Sequence, residues 1–397
     1  MATAWRSTVT EPQPIFSVAF RPFFLLGSVW SALALGIWIT AYAAGETLPS
    51  ALAPLDWHIH EMLFGFALAA IAGFILTAVA SWTGRPPVRG GVLATLTGLW
   101  LVARVLNLVS AWVPLWLTAV VDVAFPAALA LLVLREVVAA RNWRNVMMPA
   151  PIVVLGIADV LMYIEAAGRP VPIGLGWRLA IAAVITMISV IGARIIPVFT
   201  RNWLAKTDAA FLPVSHRALD RSASIVLHTG LLGWALLPAW WPFRVLLIAG
   251  AGLNLARLAG WRGLSTRREP LLAVLHLGYL WMVLGVAMLG FAGLTPAVPE
   301  TAAVHALTAG AIGTMVLAVM TRVCRGHTGR PLTAGRFTTS IYALASLSAV
   351  ARVAVAFTPG ASWALLTAAA TFWIAAFLLF TAWCVPIVLR PRVDAAR

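Results

Sequence analysis

The side chains best suited to chemistry lie at Trp57-His58-Ile59-His60-Glu61-Met62, where two imidazoles, a carboxylate and a thioether open a long apolar run. Neutral imidazole ligates haem iron and copper, and thioether sulfur suits copper. A partial echo follows. His60 precedes Thr83-Gly84-Arg85-Pro86 by 23 positions and His305 precedes Thr328-Gly329-Arg330-Pro331 by the same 23, while Gly65 and Gly310 share the 245-residue offset of the two histidines. The match points to an internal repeat. It also makes His60 and His305 the pair to face one another across a planar cofactor, as bis-imidazole haem ligands. Two positions on a helix are about 200° of rotation, so His58 and His60 should serve different centres. His58 would share a face with Glu61 and Met62, giving His58 and Met62 as copper ligands. Glu61 could instead orient a histidine from behind. His276 is a further candidate for cofactor binding and His228 for copper. Both could equally be helix-to-helix hydrogen-bonding groups. His216 and His327 read as loop residues.

These side chains need apolar helices to hold them. The chain has 397 residues, 62% hydrophobic and 10% charged, which excludes a soluble globule with one core. Crossing the hydrocarbon takes roughly 20 apolar residues as a helix, and the runs are too continuous for barrel strands. The expected fold is an all-α polytopic membrane protein with twelve transmembrane helices, at about 19–44, 57–81, 90–110, 114–139, 146–166, 172–199, 219–240, 242–260, 271–293, 301–323, 336–357 and 361–389. Residues 1–18 are read as a cytoplasmic leader, 19–390 as one twelve-span domain and 391–397 as a cytoplasmic tail. The first run is too long, and too free of a small-residue cleavage site, for a cleavable signal. Counted by fours, spans two, six and ten run the same way and exit into arginine-bearing loops, which suggests three four-helix units.

The formal net charge of +15 is concentrated in alternate loops, so it signals topology and not nucleic-acid binding. One set holds Arg85, Arg135, Arg141, Arg201, Arg267, Arg325 and Arg390, and the other holds little beyond Glu46, Asp56, Glu165, Arg169 and Glu300. The positive-inside rule puts both termini in the cytoplasm, N-in/C-in. Cys324 and Cys384 fall near that face, where a disulfide is not expected and two thiols are too few for a thiolate cluster. Spans three and four carry Arg104, Asn107 and Asp122, and span five Asp159. Unpaired charge there is costly, so Arg104 and Asp122 should pair or serve a bound group. Pro197 should kink or end span six. The tryptophans read as interfacial almost throughout, and Ala309 and Gly313 as close-packing positions.

The stretch Trp57 through Gly65, the start Phe20-Arg21-Pro22-Phe23-Phe24, Leu275-His276-Leu277-Gly278-Tyr279, and His305 through Gly310 with Gly326 through Pro331 together resemble the NnrS family. The resemblance covers nearly the whole chain. It implies a twelve-span haem- and copper-containing protein of the bacterial inner membrane, associated with the nitric oxide response and protection from nitrosative stress. More distantly the topology resembles the catalytic subunit of haem-copper oxidases and nitric oxide reductases, whose spans two and ten supply haem ligands. The departure is that span six here has no histidine and span ten has one. An oxidase-like binuclear centre therefore does not transfer.

Three functions follow. The chain could bind haem and copper in the lipid bilayer and blunt nitric oxide damage by binding this small diatomic ligand. It could be a nitric oxide reductase-like oxidoreductase, which would need an external electron donor because no Cys-x-x-Cys-His haem attachment motif is present. It could also be a metal or cofactor transporter, since twelve spans with paired repeats suit alternating access.

Overall fold

The architecture follows from one requirement, that every buried backbone group be satisfied inside its own segment. The computed structural model describes residues 13–206 and 212–393. The first part of the leader, part of the loop after span six and most of the tail lie outside these residues. Among the described residues there is no strand, and twelve long helices follow one another. They are α1 (Phe20–Ala44), α2 (Pro54–Thr83), α3 (Gly91–Leu108), α4 (Leu115–Ala139), α5 (Ala150–Ala166), α6 (Leu175–Leu204), α7 (Arg217–Leu236), α8 (Trp241–Gly260), α9 (Pro270–Ala292), α10 (Glu300–Gly326), α11 (Arg336–Ala354) and α12 (Ser362–Val388). Eleven are long and apolar enough to cross a membrane. The exception is α7, whose first turns carry Arg217, Asp220 and Arg221. It nevertheless packs between α6 and α8.

Local signals explain most ends. Pro54, Pro270 and Pro151 stand in the first turns of α2, α9 and α5, where the missing N–H costs nothing. Glu269 caps α9 by accepting from the Leu271 amide at 3.1 Å. Gly45 and Gly84 close α1 and α2 in the left-handed conformation. Pro197 corrects an expectation: α6 continues through it to Leu204.

The helices close into a ring of three arcs, α1–α4, α5–α8 and α9–α12. Within the ring α4 packs on α5, α8 on α9, and α12 on α1. The second helices of the arcs, α2, α6 and α10, meet in the middle. In their apolar windows 78%, 61% and 67% is buried, and α9 beside them also reaches 61%, against 33–44% for α1, α3, α4, α5, α8, α11 and α12. This difference separates inner helices from helices whose leucines and valines face lipid. An apolar cavity of about 80 Å³ lies between the inner three, lined by Ala67, Ile71, Val184, Ile188, Met315 and Val319 among others.

Arg21, in the Phe20-Arg21-Pro22 start, is 3% exposed and donates from Nη1 to the Val388 and Arg390 carbonyls, both at 2.7 Å. The first helix is thereby tied to the end of the last. Cys324 and Cys384 join the same region, with free thiols whose sulfurs are 3.9 Å apart between α10 and α12. The tryptophans divide. Trp112, Trp116, Trp240, Trp241 and Trp363 are exposed at helix ends, as interfacial residues should be. Trp57, Trp100, Trp234 and Trp261 are fully buried in the bundle, which corrects the interfacial reading for these four.

Candidate functional site

Both members of the repeat stand where α-helix gives way to π-helix. In α2 the π segment is Glu61–Ala67, directly after His60, and in α10 it is Ala306–Gly313, directly after His305. The correspondence extends to packing and to the loop. A Cβ added at Gly65 would lie 2.5 Å from Trp30 Nε1, and one at Gly310 would lie 2.7 Å from the Trp281 ring, so each glycine admits a tryptophan from the preceding helix. Gly84 and Gly329 both take positive φ, 68° and 73°. π segments pair i with i+5 and concentrate at functional sites. They also leave carbonyls free for side chains, and Trp100 Nε1 donates to Gly65 O at 3.0 Å.

His58 and His60 point to separate places, as their spacing requires. His60 is fully buried among carboxylates: Nδ1 is 3.0 Å from Glu61 Oε1, and Nε2 is 2.9 Å from Asp159 Oδ1 and 3.2 Å from Asp122 Oδ2. Arg104 of α3 donates to Glu61 Oε2 at 2.7 Å and also to Asp122 Oδ1 of α4. Asn107 Nδ2 donates to Asp122 Oδ2 at 2.7 Å, and the Tyr163 hydroxyl lies 2.8 Å from the same oxygen. Trp30 Nε1 donates to Glu61 Oε2 at 2.7 Å. Four helices thus converge on His60, and the expected Arg104–Asp122 pair is present. The i, i+4 spacing of Asp159 and Tyr163 and the i, i+3 spacing of Arg104 and Asn107 put both members of each pair on one face. Tyr163, Trp30 and Trp100 escape a reading of the sequence because each carries the bland signal of a membrane aromatic.

Glu61 does not share the face of His58. The π segment begins at Glu61, and its carboxylate turns back to His60, as the orienting alternative requires. His58 stacks on Trp38, with ring centroids 4.3 Å apart, and its buried Nδ1 has no hydrogen-bond partner among the described residues. It lies within Coulombic range of His305, and Arg352 of α11 acts on both. His305 Nδ1 is 2.7 Å from the Thr301 carbonyl, which can only accept, so this nitrogen carries the proton and Nε2 the lone pair.

The remaining candidates lie apart. His276 Nε2 is 2.9 Å from Thr200 Oγ1 on α6, while its Nδ1 is buried with no partner among the described residues. His228 belongs to the α7–α8 hairpin, with Arg257 its charged neighbour and Nε2 likewise unpartnered there. Met62 is half-buried on α2. His58 and His305 thus lie within Coulombic range of one another, and His60 lies in its own cluster. His327 follows the last turn of α10 and is exposed, as a solvated loop residue should be, with its ring centroid 6.0 Å from that of Phe20.

Apolar helices long enough to cross a bilayer, closed around buried histidines, carboxylates and an arginine, define an integral membrane protein whose polar chemistry lies inside its bundle. The family model described as NnrS protein matches residues 14–392, and the chain belongs to the NnrS family. A comparison with curated proteins finds no match.

The donors can be tested against the groups such a membership suggests. His305, anchored at Nδ1 with Nε2 left to ligate, has the form of a haem-ligating histidine. His58, with a buried unpartnered nitrogen nearby, fits the same group. His60 fits less well, because both its nitrogens already face carboxylates.

Proposed function

We propose that the protein binds haem between the outer ends of α2 and α10 and protects its host from nitric oxide in the inner membrane of a bacterium, with both termini cytoplasmic. The observation that carries this reading is that His58 and His305 lie within Coulombic range of one another and that each has a nitrogen free for a metal. His305 keeps the role expected of it. His58 takes the place first given to His60.

Haem iron held here would supply coordination of a small diatomic ligand. The chain's own residues do the rest. Thr301 fixes the His305 tautomer and ring orientation, so His305 is the anchored ligand. His58 is held by stacking on Trp38 alone among these contacts, which makes it the exchangeable one. Arg352, near both, offers positive charge to a carboxylate-bearing cofactor edge. The apolar cavity among α2, α6 and α10 favours a small neutral molecule over water, since apolar cavities stay dry.

The test is an optical spectrum of the purified full-length protein, oxidised, reduced and exposed to nitric oxide, for wild type and for His58→Ala, His305→Ala and His60→Ala. Haem bands that shift with nitric oxide, lost in His305→Ala and altered in His58→Ala, are expected. Full retention of haem in both variants would sink the assignment. Loss confined to His60→Ala would return the role to His60, and a colourless protein that incorporates no haem would favour the transporter reading.

A further inference from the structure

The His60 cluster poses a problem of charge and lone pairs that its own residues do not solve. Glu61, Asp122 and Asp159 are three carboxylates at 0–1% exposure, and Arg104, 1% exposed, is the guanidinium paired with two of them. Burying uncompensated charge costs several kcal/mol per ion, so an excess of anions inside a membrane bundle calls for a cation.

The lone pairs point the same way. Glu61 Oε1 accepts from His60 Nδ1, which leaves Nε2 facing Asp159 Oδ1 and Asp122 Oδ2, two more acceptors. A neutral imidazole would put three lone-pair-bearing atoms together. A proton on Nε2 relieves that contact and a second proton on Asp159 would balance the charge, yet Asp159 Oδ2, fully buried, still finds no hydrogen-bond partner among the described residues. A divalent cation does both tasks. One ligand atom each from His60, Asp122 and Asp159 already lie within 4.8 Å of one another. Glu61 behind the imidazole completes the carboxylate–histidine–metal arrangement that fixes ligand orientation.

We propose that His60 Nε2, Asp122 and Asp159 bind one divalent first-row transition cation, at a site separate from the His58–His305 pair. One imidazole and two carboxylates form a nitrogen–oxygen donor set suited to manganese, iron, zinc or copper(II). Glu61 is a positioning residue, and Arg104 balances the carboxylate charge left over. Tyr163, whose hydroxyl lies 2.8 Å from Asp122, separates the cluster from the groove between α4 and α5 that it lines with Trp116 and Arg169.

The experiment uses full-length protein in detergent, stripped with chelator and titrated with zinc(II) or manganese(II) alone, with bound metal counted after gel filtration. One ion per chain is expected for wild type, and binding at least ~10-fold weaker for Asp159→Asn. Folded, monodisperse wild type that takes up neither ion overturns the proposal and leaves His60 an imidazolium. Asp159→Asn binding as tightly as wild type overturns it too. Should that variant fail to accumulate, X-ray absorption at the zinc edge of the wild type decides. A shell of oxygens with one imidazole supports the site, and sulfur or imidazoles alone overturn it.

Discussion

Arg104 holds Glu61 and Asp122 together from α3, so its loss strands two carboxylates at once. Arg104→Met should lower stability by about 3–5 kcal/mol, the cost of removing one partner from a buried pair. Thermal unfolding of the detergent-purified protein checks this, and an unchanged midpoint would mean the carboxylates are held another way. The glycines of the repeat make a matched prediction. Gly65→Ala sets a methyl against Trp30 and Glu61, and Gly310→Ala sets one against Trp281. Each should cost about 1–3 kcal/mol by overpacking. At this scale the sequence showed which residues are polar in the membrane but not which of them meet. Arg104, Asp122 and Asp159 come from three helices, and nothing in one chain's residue order relates their faces. The opposite faces of His58 and His60 were legible, because two positions fix a rotation whatever surrounds the helix.

The helices themselves announce their ends through hydropathy, proline and glycine, and all twelve expected spans coincide with an observed helix to within about five residues at each end. The π segments at Glu61–Ala67 and Ala306–Gly313 were invisible. An i to i+5 ladder needs no particular composition, so only the shared offset of His60 and His305 hinted that the two places are alike. Each π segment holds one residue more than an α-helix would need. Deleting Leu63 should restore α pairing and remove the local widening that aims His60 and Glu61 into the cluster. We expect the deletion variant to insert in the membrane and to bind the proposed metal ion more weakly than wild type. Binding as tight as wild type would show that the segment does not aim His60. Pro197, by contrast, does not end α6, which runs seven residues beyond it to Leu204.

For the whole molecule, the arrangement by fours was legible in the direction of spans two, six and ten, and their meeting at the centre is what the burial of α2, α6 and α10 records. Alternate basic loops make a further prediction: reporters fused to either terminus should both read as cytoplasmic, and a reporter in the loop after α1 should read as external. The ring also has a seam. Arg21 on α1 is buried against carbonyls of Val388 and Arg390, which follow it in the chain by 367 and 369 residues. The guanidinium on α1 is therefore satisfied only once α12 has docked beside it. Chains cut before α12 should be degraded. A circular permutant that joins the two ends and opens the chain at an exposed loop should assemble, because the seam is then made early.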